Sequence, residues 1–181
     1  MPDVPSWLAD ARNHWTNTGA RRPPFAGDPG PGQESVWDYP RPPAIVPDSR
    51  LVVVGDADAV ASTTRSIRVL ETASPPTFYI PADDVRTDAL VAAPGRSFCE
   101  WKGPARYWAL ADDPTTPIGW DYPEPFEEFS AIAGHYSFYP ARVACTVDGE
   151  AVRPQAGGFY GGWVTDEVVG PFKGDPGTGS W

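Results

Sequence analysis

The sequence predicts a mainly β fold, a barrel or two-sheet domain with a few short helices. Short apolar runs with period-two alternation recur between turn signals along most of the chain. The 23 prolines are poorly tolerated inside helices and central strands, so they divide the chain into many short extended pieces. No alternation of long strands with long helices appears, which argues against a doubly wound parallel sheet. The 181 residues suffice for one domain with a real core. Aromatic residues make up 13% of the chain and offset a modest 41% hydrophobic content, because each ring buries a large area.

Residues 1–34 read as an N-terminal extension. Ser6 can cap a short helix over 6–15 with Leu8, Ala11 and Trp15 on one side, and 21–33, dominated by Pro and Gly, reads as an irregular strap. Trp7 and Trp15 would anchor the extension onto the domain or onto another subunit. The β-rich domain is expected over 35–154. Its opening stretch, 36–43, reads as extended with Trp37 and Tyr39 on one face. A strand at 51–54 turns at Gly55-Asp56-Ala57-Asp58 and returns over 59–63 as a hairpin. In the strand at 66–72, Arg68, Leu70 and Thr72 alternate with Ile67, Val69 and Glu71. A short strand follows at 77–80, and 82–90 reads as a helical turn or two with Asp83 and Asp84 near its start.

Around Gly103-Pro104, read as a turn, lie two aromatic-rich runs that predict a hairpin over 97–108. In strand geometry Cys99 and Trp101 share one face, and Phe98, Glu100 and Lys102 the other. A strand is expected at 115–122 and a helix at 124–132, with Pro125 in its first turn and Phe126, Phe129 and Ile132 on one face. Strands at 135–139 and 142–147 follow, the second turned at Asp148-Gly149 into 150–152. From 155 to 181, glycine and proline predict a loosely held C-terminal tail, with Phe159, Tyr160 and Trp163 as residues able to pack down.

The net charge of −10 repels phosphate backbones, so no nucleic-acid partner is expected. No stretch approaches about 18 consecutive apolar residues, so no membrane span is expected. Residues 1–5 lack a basic region followed by an apolar one, so no secretory leader is expected, and two cysteines without a leader read as reduced thiols in the cytoplasm. Cys99, Cys145, His14 and His135 are the only thiols and imidazoles, without CxxC or HxxxH spacing. No metal site, cofactor or catalytic residue is assigned.

The hairpin over 97–108 gathers a thiol, a lysine, an acid, two indoles and a phenol, and is expected to form one wall of any pocket. Cys99 near Lys102 could have a lowered pKa, but residues three apart in a strand face opposite ways and would meet only through a bulge or turn. Lys102 could instead pair with Glu71 or Asp84 across the sheet. Eight tryptophans in a small β domain are more often core than ligand platform.

Several motifs follow one another in order: 36–43 (VWDYPRPP), 68–72 (RVLET), 79–81 (YIP), Asp84-Val85, 99–103 (CEWKG) with Ala105 and Tyr107, 120–123 (WDYP) and 138–140 (FYP). Together they resemble the domain-of-unknown-function 427 family, which carries a nucleotidyltransferase-like label, over roughly 35–153. The resemblance implies a small two-sheet, tent-like or open barrel domain with a cavity between the sheets. The family's common cysteine-aspartate-proline form is replaced here by Cys99-Glu100-Trp101. Phosphoryl transfer needs carboxylates for Mg²⁺ and a phosphate cradle. Here the side chains of the adjacent Asp83 and Asp84 would diverge, and no GxxxxGK[ST] is present.

The expected role is therefore binding of a small molecule in an aromatic-lined cavity between sheets. The expected site comprises Arg68, Glu71, Tyr79, Cys99, Trp101, Lys102, Tyr107, Trp120 and Tyr139, with Trp101, Tyr107 and Trp120 stacking and Lys102, Arg68 and Glu71 orienting a polar group. One alternative is an enzyme, nucleotidyltransferase-like or other, using Lys102 or Cys99 in the same cavity. Another is a structural module without a ligand that forms a homo-oligomer through the N-terminal extension.

Overall fold

Turn residues and alternation divide the chain into short strands. The computed structural model describes residues 6–181, so the stretch 1–5, on which the expectation of no leader rests, lies outside the described residues. After helix α1 (Ser6–Asn13) come β1 (Glu34–Ser35), β2 (Ala44–Asp48), β3 (Val52–Val54), β4 (Ala61–Thr63), β5 (Ser66–Leu70) and β6 (Thr77–Pro81). Then follow β7 (Leu90–Cys99), β8 (Gly103–Leu110), β9 (Asp113–Asp121), β10 (His135–Phe138), β11 (Cys145–Val147), β12 (Glu150–Ala151), β13 (Arg153–Pro154), β14 (Trp163–Val164) and β15 (Val168–Val169). Among the described residues no helix is long and apolar enough to cross a membrane.

The fold is mainly β and open. A seven-stranded antiparallel sheet runs in the order β2-β5-β6-β10-β9-β8-β7, and a four-stranded one in the order β12-β11-β3-β4. Two small pairs, β1 with β15 and β13 with β14, join the segments at either end to the domain. The Asp148-Gly149 hairpin forms as its turn chemistry dictates, with both residues at positive φ.

Three local expectations change. The segment 124–132 forms a 3-10 stretch, Glu127–Ile132, broken at Phe129 (φ −113, ψ 16), instead of an α-helix. Residues 36–38 coil into a 3-10 turn capped by the Ser35 hydroxyl rather than running extended. The central hairpin turns earlier than Gly103-Pro104: Cys99 pairs with Gly103, leaving Glu100, Trp101 and Lys102 as the turn. Gly103 adopts φ +97, a conformation glycine takes at little cost, and so becomes the first residue of β8.

Alternation sorts the large sheet into two faces. Phe78 and Ile80 of β6 join Val52, Val54, Phe138, Cys145, Val147 and Trp163 in a core between the two sheets. Tyr79, between them in sequence, faces away and joins Val69, Trp120, Tyr122, Phe129 and Ile132. Trp108 pairs with Gly119 but Ala109 with Pro117, so Ile118 is an extra, bulged residue. That bulge lets Ile118 enter the first core while Trp120 enters the second.

Residues 155–181 do not hang loosely. Trp163 is fully buried in the first core, where its indole N–H donates to the Phe138 carbonyl at 3.0 Å and its backbone N–H to Pro76 at 2.8 Å.

Candidate functional site

The face of the large sheet turned away from the small sheet holds a cavity of about 300 Å³. Val69 of β5, Thr77 and Tyr79 of β6, Tyr107 of β8, Trp120 of β9 and Cys99 of β7 line it from the sheet. Trp15 and the segment carrying Gln155, Tyr160, Gly161, Gly162 and Lys173 roof it. None of β3, β4, β11 or β12 contributes a lining residue. The expectation of a cavity between the sheets is thus corrected: alternation along β6 fills that space with Phe78 and Ile80 and turns Tyr79 to the other side.

The roof lies close because its glycines leave room. A Cβ on Gly161 would stand 2.3 Å from the Trp120 ring. The Gln155 amide knits the roof together, donating to the Lys173 carbonyl at 2.6 Å and accepting from the Gly162 N–H at 3.0 Å. Phe159 projects at the rim, 66% exposed, and with Tyr107 and Tyr139 also borders a smaller hollow containing Arg142.

The wall is a set of interlocked rings. Trp120 stands 4.5 Å from Tyr139 and, edge-on, 6.3 Å from Tyr79 between centroids. The Trp120 indole N–H donates to the Tyr79 hydroxyl at 3.4 Å. Burial raises the pKa of Tyr79, Tyr122 and Tyr139 above the ordinary phenol value, so these hydroxyls stay protonated.

Two buried lysines serve the site. Lys102 is 8% exposed, with its ammonium 5.9 Å from the Tyr122 ring centroid and 5.8 Å from that of Phe129. Burial works against its charge, but Cys99, Tyr79 and Glu71 outweigh it and raise its pKa, keeping Lys102 cationic. Lys173 stands 3.8 Å from the Trp15 ring centroid and donates to the Trp181 carbonyl at 3.5 Å. Its pKa is lowered, chiefly by burial. Glu71 pairs with the buried Arg41 at 3.3 Å, and Glu100 accepts from the Trp15 indole at 3.1 Å.

Of the residues expected at a site, Glu71, Tyr79, Cys99, Lys102, Tyr107, Trp120 and Tyr139 line the one cavity. Arg68 and Trp101 do not. Arg68 alternates with Val69 and so faces the acidic cluster of Asp48, at 3.1 Å, and Glu167, at 3.9 Å. Trp101 sits in the hairpin turn beneath Arg12, whose guanidinium lies 5.3 Å from its ring. Cys99 and Lys102 reach the same space because the turn, not a continuous strand, separates them. Asp84 pairs with Arg65 at 2.9 Å and accepts from the Thr63 hydroxyl, so it is not Lys102's partner.

Sequence reasoning omitted Tyr122, Gln155, Tyr160 and Lys173 from the site. Tyr122 was signalled by its place in Trp120-Asp121-Tyr122-Pro123, whereas nothing local marks Lys173. Among the described residues no group of three or more His, Cys, Asp or Glu side chains is arranged to hold a metal ion.

The model of a family described as a domain of unknown function (DUF427, labelled NTP_transf_9) matches residues 44–149. The chain belongs to this family. No curated protein matches it. The DUF427 match contains all of the cavity's sheet-borne wall, from Val69 to Tyr139, whereas Trp15, Tyr160, Gly161 and Lys173 of the roof lie outside it.

Proposed function

We propose that this DUF427 protein is a cytoplasmic binder of a small organic molecule with a planar apolar body. The observation that carries this reading is the cavity itself, walled by Tyr79, Tyr107, Trp120, Tyr122 and Tyr139, with Glu71, Glu100, Lys102, Gln155 and Lys173 set among the rings. A concave aromatic wall with convergent polar groups is the usual character of a small-molecule site. In this reading Trp120 and Tyr139 stack on the ligand, Tyr160 and Phe159 close over it, and both free cysteines remain reduced.

Native mass spectrometry of freshly purified protein, followed by a thermal-shift screen of aromatic metabolites, tests it. A co-purifying mass, or saturable stabilisation by one compound, is the expected result. Trp120→Ala is expected to weaken that compound's binding at least about tenfold, as loss of a buried aromatic anchor does. If nothing co-purifies and no compound stabilises, the reading falls. Stabilisation by nucleotide with Mg²⁺ alone would instead move the site to phosphoryl chemistry.

A further inference from the structure

Lys102 raises a question that the aromatic wall does not answer. A buried ammonium normally has an anionic partner, because removing its water is costly otherwise. Among the described residues no carboxylate forms an ion pair with Lys102: Glu71 acts on it through its charge, but its direct partner is another cation. Glu71 is held by Arg41 at 3.3 Å. Glu100 takes the Trp15 indole N–H at 3.1 Å. Glu128 pairs with Arg12 at 3.4 Å. The groups left beside Lys102 are the Cys99 thiol, the phenol of Tyr79, and the Tyr122 and Phe129 rings.

We infer that the ligand of this cavity carries one carboxylate, which pairs with the Lys102 ammonium. This rests on the cavity being a small-molecule site and specifies its chemistry. Lys102 opens onto the cavity through its lining position, so an incoming anion meets it directly. The neighbouring phenols complete the cradle. The Tyr79 hydroxyl accepts from the Trp120 indole, lies beside the Thr77 side chain and stays protonated, so it has a proton to donate to the second carboxylate oxygen.

Lys102 and Lys173 line the cavity together with Glu100, and Glu71 is offset by Arg41, so the lining has one positive charge left to match one negative charge. The other buried lysine, Lys173, is turned to the Trp181 carbonyl and the Trp15 ring. A dianionic phosphate would therefore leave a charge uncompensated in a poorly solvated space. The ligand class is a planar aromatic monocarboxylate.

The test is calorimetric titration of the full chain with 2-naphthoate, 2-naphthamide and 2-naphthyl phosphate. The acid is expected to bind at least about tenfold more tightly than the amide, as a charge-assisted pair in a desolvated site does over a neutral one. Lys102→Met is expected to abolish that preference, bringing the acid's affinity down to about the amide's affinity for the same variant, with near-ultraviolet circular dichroism checking its fold. The acid–amide comparison on the wild-type protein decides by itself if the variant does not fold. Equal binding of acid and amide overturns the carboxylate inference and leaves the small-molecule site standing. Preference for the phosphate overturns the single-charge assignment. Saturable binding of none of the three overturns both the inference and the reading beneath it.

Discussion

Asp48 and the two cysteines show how much a single side chain's surroundings decide. Asp48 is almost fully buried between Arg50 and Arg68. Burial would raise its pKa, but the Arg50 hydrogen bonds and the charge of Arg68 outweigh that and hold it below the ordinary value. Its folded pKa lies below the unfolded value of about 3.9, so the ionised form contributes stability above that pH and loses it as pH falls through the depressed value. Asp48→Asn is expected to cost about 1–3 kcal/mol at neutral pH, the range for breaking a buried charged hydrogen bond. The difference from wild type should shrink as pH falls below the unfolded value of about 3.9, as read by urea unfolding across pH; a constant difference at all pH values would refute the linkage. Cys145 is 3% exposed and burial pushes its thiol up to about 12. Cys99 is half-buried and opens onto the cavity. A thiol reagent at pH 8 is therefore expected to modify Cys99 in the native protein and Cys145 only after denaturation, with peptide mapping to identify the adduct.

At the scale of elements, α1 is held by one arginine more than by its own sequence. Eight residues are too few for a helix to persist alone in water. Arg12 donates to the Glu100 carbonyl at 2.7 Å, pairs with Glu128 at 3.4 Å and covers the Trp101 and Phe126 rings at 5.3 and 5.2 Å. It ties α1 to the hairpin turn, and the chain then delivers Trp15 to the cavity roof. Arg12→Ala removes a charge-assisted bond and ring coverage worth about 1–2 kcal/mol together. The expected result is faster amide exchange over residues 6–15 with little change in the sheets. Uniform protection in both regions would show that α1 is held by something else.

For the molecule as a whole, the C-terminal segment and the two sheets form one packed unit. Trp163, from outside the family's matched segment, fills the first core against Phe78 with ring centroids 4.9 Å apart. Trp163→Ala is expected to cost about 3–5 kcal/mol, the range for emptying a buried aromatic site. Unfolding followed by tryptophan fluorescence and by far-ultraviolet circular dichroism should remain coincident, since one core spans both parts. A loss under about 1 kcal/mol would mean that the segment packs only superficially.

Period-two alternation and turn chemistry are local, and they were legible. The alternation of 66–72 already separated Arg68 from Val69 and Glu71, and Asp148-Gly149 already marked its hairpin. The ordered motifs around Cys99, Trp120 and Phe138 likewise marked the family that the chain belongs to. Alternation gives a strand two faces but does not say what covers each one. Packing of the four-stranded sheet against Phe78 and Ile80 decided that the cavity lies on the opposite side. A positive φ at Gly103 moved the hairpin turn, and with it Lys102, into the cavity. The roof comes from Trp15, Tyr160 and Lys173, far from the sheet residues in sequence. Only chain packing, not any local pattern, could bring them over the same space.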